Sequence, residues 1–276
     1  MKRLANWLLP VAVGALGATA LSGPATSSAA TDTTAPTLVA PLTADFVVGS
    51  SIGPVIPNIV SGLGPTRDIR MRARWRATDA SGICGYGTRA EFAGGLGAWS
   101  PFGPVTSASS STSDYNGEAG DGADVFEGYR VRARDCAGNI ATTFIRYRPS
   151  VYEEDGSTFN GVGLTGPSYR GTWRTSRCTC FSDGATRTTT QRGASVTFST
   201  GAGVHHTALV MERSPKRGAV RVYVNGALEA TVGTHSATTV HRAVVWNART
   251  GPATIRLVNV ATAGHPRIDL DAVLTD

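Results

Sequence analysis

Lysine is nearly missing: Lys2 and Lys216 are the only two in 276 residues, and charged residues of both signs make up 17% of the chain. The formal charge of +6 therefore comes from arginine, and so one-sided a preference reflects codon usage rather than phosphate recognition. Histidine is absent before His205, which excludes imidazole acid–base or metal chemistry from the first two hundred residues. Helical periodicity is lacking too, and the 33 glycines and 14 prolines argue for short strands and turns. After the N-terminus no apolar run approaches a bilayer-spanning length. Nothing around the five histidines matches a metalloprotease helix or a serine-nucleophile elbow.

What is present begins with an export signal over residues 1–30. Lys2 and Arg3 precede an apolar run from Trp7 to Leu21 and a small-residue tail ending Ser28-Ala29-Ala30, the three-part layout of a secretory signal peptide. The apolar core is too short for a membrane anchor, and no lipidation cysteine follows. The expectation is a secreted, extracellular, soluble protein without a membrane span. In that setting the four cysteines form two disulfides, with three pairings open. Charge divides unevenly: 11 arginines balance 11 acids between Thr31 and Pro149, whereas Ser150–Asp276 has 13 basic residues against 9 acids. An excess of that size serves solubility.

The strongest local signal is VRVYVNGALEATV, Val220 to Val232. Asn225-Gly226 between two alternating runs predicts a β-hairpin. With a plain two-residue loop, Val222 would face Glu229 and bring a carboxylate onto the apolar face. One extra residue in the loop, a bulged turn, removes the conflict. Val220, Val222 and Val224 then share the buried face with Val232, Ala230 and Leu228. A sheet apolar on one face must lie on a second sheet, which implies a sandwich.

Residues 31–149 form the first module. Asp68–Arg76, DIRMRARWR, turns Ile69, Met71, Ala73 and Trp75 inward and four arginines outward, and YRVRAR at Tyr129–Arg134 repeats the pattern. Arginine stems cover exposed sheet surface well; with the acids of this half cancelling the field, nucleic acid is not expected as a partner. The stretch Thr106–Gly122 reads as a mobile loop, and Asp114, Glu118, Asp121 and Asp124 lack the spacing of a calcium loop. WRATDASGICGYGTRAEF, the Trp99 segment and YRVRARDCAGNIATTF resemble strands B, C, F and G of a fibronectin type III or similar immunoglobulin-like domain of secreted bacterial proteins. That resemblance implies a spacer or interaction domain and brings Cys84 beside Cys136 for a disulfide.

Residues 150–276 form the second module, with strands predicted at Ala194–Ser199, Thr207–Met211, the hairpin, Ala243–Trp246, Ala253–Val258 and Ile268–Leu274, and Trp246 in the core. YEED, YRGTW, GASVTFSTGAGV, PKRGAVRVYVNG and HPRIDLDAVL, in that order, resemble a galactose-binding-like β-sandwich (jelly roll) of the carbohydrate-binding-module type. The resemblance implies binding of a glycan or other surface ligand. In some members it implies a structural calcium between a first-strand and a last-strand carboxylate, here Glu153 or Glu154 with Asp271; no cofactor is otherwise expected. Cys178-Thr179-Cys180 has neither a second pair for zinc nor a helix for redox chemistry. It reads as a small disulfide pinning a loop, with free thiols and crossed pairing as alternatives.

Sugar recognition combines a flat ring with fixed donors. Trp173, Arg177 and Phe181 supply these on one loop. Arg213, Lys216 and Arg217 form a compact basic turn suited to an anionic wall polymer. No catalytic residue or metal ligand is assigned, because no paired acid and base is visible. His205 and His206 point to opposite faces of a strand, and His241 is placed near His235 across a turn. The sequence thus predicts an all-β protein: two consecutive antiparallel sandwiches after a signal peptide, not an enzyme, attaching to a polysaccharide or cell-envelope polymer. The alternatives are a structural adhesion protein making protein contacts and, third, an extracellular hydrolase.

Overall fold

The computed structural model describes residues 32–53, 68–92, 95–103, 109–111, 115–116, 126–147, 149–159 and 163–276. The expected signal peptide and the acidic positions Asp114, Glu118, Asp121 and Asp124 lie outside them. Most of the Thr106–Gly122 stretch does too, but Ser109–Ser111 and Tyr115–Asn116 are short paired strands. Among the described residues there is no helix, and none that is long and apolar enough to cross a membrane. Thr33–Asp276 folds as one compact unit.

Five longer strands build the first half: β1 (Thr37–Phe46), β2 (Met71–Thr78), β3 (Ile83–Phe92), β4 (Phe126–Asp135) and β5 (Ile140–Arg146). β1 pairs antiparallel with β2, while β3, β4 and β5 run side by side in a second sheet. The period-two pattern of β2 holds: Met71, Ala73, Trp75 and Ala77 are buried and the residues between them are not. A Cys84–Cys136 disulfide ties the start of β3 to the end of β4.

The second half continues with β6 (Ser150–Glu153), β7 (Leu164–Arg170), β8 (Arg174–Arg177), β9 (Ala185–Thr189), β10 (Ser195–Thr200), β11 (His206–Arg213), β12 (Ala219–Val224), β13 (Ala227–Gly233), β14 (Val240–Arg249), β15 (Ala253–Asn259) and β16 (Ile268–Thr275). One sheet is centred on β16, with β11 and β14 to one side and β6, β9 and β8 to the other; the facing sheet runs β7-β10-β15-β12-β13. Phe198, Leu209, Met211, Trp246, Leu257 and Leu270 fill the space between, so this half is an antiparallel β-sandwich. The other face of the β16 sheet is covered as well: Ala208, Val210, Val244 and Leu274 pack against Phe46, Met71 and Trp75 of the first half. Covering on both faces explains why TALVM in β11 shows no alternation. The free edge of β14 is closed by residues 49–52, where Gly49 N donates to Val244 O at 2.8 Å and Ile52 N to Arg242 O at 3.0 Å.

The hairpin is present, with one correction. Val220 faces Val232 and Val222 faces Ala230, as expected, but Tyr223 faces Leu228 and Val224 faces Ala227. The extra residue therefore sits inside the strand, at Glu229, and the loop keeps its two residues. Asn225 (φ 50°) and Gly226 (φ 82°) both take the left-handed conformation that such a hairpin turn requires. A bulge in the strand keeps the carboxylate off the apolar face without straining the turn. Its cost is Leu228, which is turned out to solvent rather than buried.

Candidate functional site

Both sheets of the sandwich end in an edge strand on the same side, β7 in one and β8 in the other. There the chain gathers an aromatic pair, an arginine and three acids. Tyr169 of β7 is the anchor: its hydroxyl donates to Glu154 O at 2.6 Å, and burial pushes its phenol pKa up, which keeps it a donor. Trp173 lies edge-on to it, with ring centroids 5.0 Å apart. The indole Nε1 donates to Arg170 O at 3.1 Å and fixes the ring, which stays half-exposed. From β9, the Arg187 guanidinium lies 5.5 Å from the Tyr169 ring.

The turn after β6 supplies the acids. Glu154 is 5% exposed, and that burial pushes its carboxyl pKa up, with Asp155 and Asp183 adding to the shift and Arg187 opposing it. Asp155, exposed beside it, is held down by hydrogen bonds from the Ser157 side chain and backbone. Because folded Glu154 holds its proton more tightly than the unfolded chain does, this residue's contribution to stability falls as pH rises from about 4.5 through the folded value. Glu154→Gln should therefore raise the melting temperature at pH 7, and the gain should disappear below pH 4. Thermal melts of both proteins across that range check it.

Behind these residues Glu153 and Asp271, both buried, converge on Ser182: its hydroxyl donates to Glu153 Oε1 at 3.0 Å and its backbone N to Asp271 Oδ1 at 2.8 Å. The positions that the resemblance implied for a calcium meet here, with Glu153 rather than Glu154 standing beside Asp271. Two carboxylates beside one hydroxyl form an all-oxygen donor set, which fits a hard cation and no soft one. A cation there would tie the first and last sandwich strands to the cysteine loop.

The six ligand candidates do not form one surface. Trp173 is at the open edge, and Arg177 is exposed at the end of β8. Phe181 is a correction: only 4% exposed, it packs edge-on against His241 at 5.8 Å, because the Cys178–Cys180 disulfide curls the loop back onto the sheet. Arg217 is another, since the basic turn folds it inward, 6% exposed, to pair with Glu212 at 2.5 Å and with Asp269. Lys216 stays exposed on that turn, and Arg213 lines a cavity of about 330 Å³ with Val48, Thr231, Val232 and Val244. His241 pairs with Glu212 (3.1 Å) and not with His235, whose ring lies against His265 instead. His205 precedes β11 and is exposed, while His206 opens the strand and is buried beside Asp276. The sequence pointed to Glu154 only as a possible calcium partner, and did not single out Asp155, Tyr169, Asp183 or Arg187. The available signal was three consecutive acids leading into Gly156.

No family model and no curated protein matches the chain. Among solved structures it is similar to the CBM36-1 domain of a multidomain xylanase from the hindgut metagenome of Trinervitermes trinervoides, at 17% identity and a TM-score of 0.30, over 46% of this chain and 96% of that one. It is similar to an exo-β-1,3-galactanase from Phanerochaete chrysosporium at 15% identity and a TM-score of 0.33, over 84% of this chain and 69% of that one. A third is the structure of CBM51-2 in complex with GlcNAc and INT domains from Clostridium perfringens ZmpB, at 14% identity and a TM-score of 0.29, over 63% of this chain and 45% of that one. Likeness this distant leaves the function to the geometry of the site.

Proposed function

We propose that the chain is a secreted binding protein whose second sandwich holds a carbohydrate at its open edge, with the fibronectin-like first half as a spacer. One observation carries this reading: a partly exposed tryptophan, fixed by its own hydrogen bond, stands edge-on to Tyr169, over whose ring the Arg187 guanidinium lies. A pyranose needs an apolar plate for its C–H face and donors and acceptors for its hydroxyls. The test is retention of the full chain on insoluble polysaccharides. Binding to at least one is expected, and Trp173→Ala should weaken it about 30-fold or more, the range of an aromatic hot spot. Undiminished binding by that variant would move the site elsewhere.

A hydrolase has one observation in its favour, the opposite pKa shifts of Glu154 and Asp155. The two are sequence neighbours on one turn and Glu154 is buried, a poor arrangement for flanking a glycosidic bond from both sides. The bound polysaccharide is accordingly expected to release no reducing ends on prolonged incubation.

A further inference from the structure

The β3-β4-β5 sheet bears a ladder on its outer face that the glycan reading does not use. In β4, Arg130, Arg132 and Arg134 alternate with buried Val131 and Ala133. In β3, Arg89 stands opposite Arg130, and Gly87 opposite Arg132. The glycines of β3 make room for a segment that folds over the face: a Cβ on Gly87 would lie 2.7 Å from Arg132 Nε, and one on Gly85 3.0 Å from the Phe102 Cβ. Ser100 N donates to Thr88 O at 2.8 Å and Gly103 N to Tyr86 O at 2.9 Å, which hangs Trp99 and Phe102 over the arginines. The guanidiniums of Arg89 and Arg132 each lie 4.6 Å from the Trp99 ring centroid, and those of Arg132 and Arg134 lie 4.1 and 4.4 Å from that of Phe102.

Little among the described residues answers this charge. Glu91 pairs with Arg130 at 2.6 Å, and Arg132 Nη2 donates to Ser100 O at 2.8 Å. Among the described residues no carboxylate pairs with Arg89, Arg132 or Arg134. Each of the two rings already carries two guanidiniums, which leaves it poorly placed to stack a base or a neutral sugar. What the ladder offers is guanidinium edges, their planes set by the rings, and an in-plane fork matches a planar carboxylate two bonds at a time. Arg130 is taken by Glu91, but Arg132 and Arg134, about 7 Å apart along β4, with Arg89 on the neighbouring strand, still present a row of guanidiniums, suited to charge repeated along a chain rather than to one small anion.

We propose that this face is a second binding site, separate from the Trp173 edge, and that it takes a carboxylate-bearing polysaccharide, a polyuronate. The test measures affinity of the full chain for polygalacturonate, for its full methyl ester and for single-stranded DNA. The acid polymer should bind, more weakly as salt rises, and the ester should not. Arg89→Gln with Arg134→Gln should weaken binding about tenfold per arginine removed, the scale of a charge-assisted hydrogen bond, while Trp173→Ala leaves it unchanged. An unchanged urea midpoint confirms that the double variant folds. If the midpoint shifts, Arg89→Lys with Arg134→Lys keeps the charge but loses the fork, and should still bind more weakly than the parent. Equal affinity for the ester, tighter binding of DNA than of polyuronate, full affinity in the arginine variants, or loss of affinity in Trp173→Ala alone would each overturn the proposal.

Discussion

Arg217→Ala is expected to cost about 3 to 5 kcal/mol of folding stability, the range found when one partner of a buried ion pair is removed. Arg217 reaches Glu212 at 2.5 Å and also pairs with Asp269, whose side chain is fully buried. Its removal leaves Glu212 to His241 and Asp269 to Arg267, neither of which is as enclosed as Arg217. The loss should appear as a lower urea midpoint with an unchanged slope, and should respond little to salt because the pair is shielded from solvent ions. Arg217→Lys retains the charge but cannot serve two carboxylates with one planar group, so an intermediate loss follows. If Arg217 contacted a ligand instead, alanine would change binding and leave the midpoint where it was.

Replacing Cys84 and Cys136 together by serine should cost about 4 kcal/mol by the chain-entropy relation for a loop of this size. The bridge joins residues 52 apart in sequence, with Cα atoms 4.9 Å from each other. Both cysteines are exposed, so serine leaves no cavity and the effect is that of a longer free loop in the unfolded chain. Cys178–Cys180 spans 2 residues and restrains far less of that chain. Its replacement should be felt locally, in the seating of Phe181 and Ser182. Urea titration of the two double variants checks the order of the losses.

Where one face of a strand meets solvent, the sequence was readable. MRARWRAT alternates because β2 is buried on one side only, and the hairpin register as far as Val222 opposite Ala230 followed from keeping Glu229 off the core. Burial on both faces erased that signal: IDLDAVLT in β16 is buried throughout, and the pattern alone does not show that Ser182, Arg217 and Arg267 meet its two aspartates. The site suffered for the same reason. An aspartate in an otherwise apolar central strand demands a buried donor or cation, and that demand, followed through, would have drawn Arg217 and the 181–182 segment inward. Trp173 was legible as a ring on a loop. Its neighbours Tyr169 and Arg187 were not, because they come from strands that become neighbours only when the two sheets stack.

Hydroxyl-radical footprinting of the full chain, with and without a polysaccharide that retains it, tests most directly whether contact is made at the open edge. Oxidation of Trp173 and Tyr169 should fall on binding while Tyr223, on β12 of the facing sheet, is oxidised as before. Equal oxidation of Trp173 in both states, with protection at Tyr223 instead, would contradict a ligand site between β7 and β8.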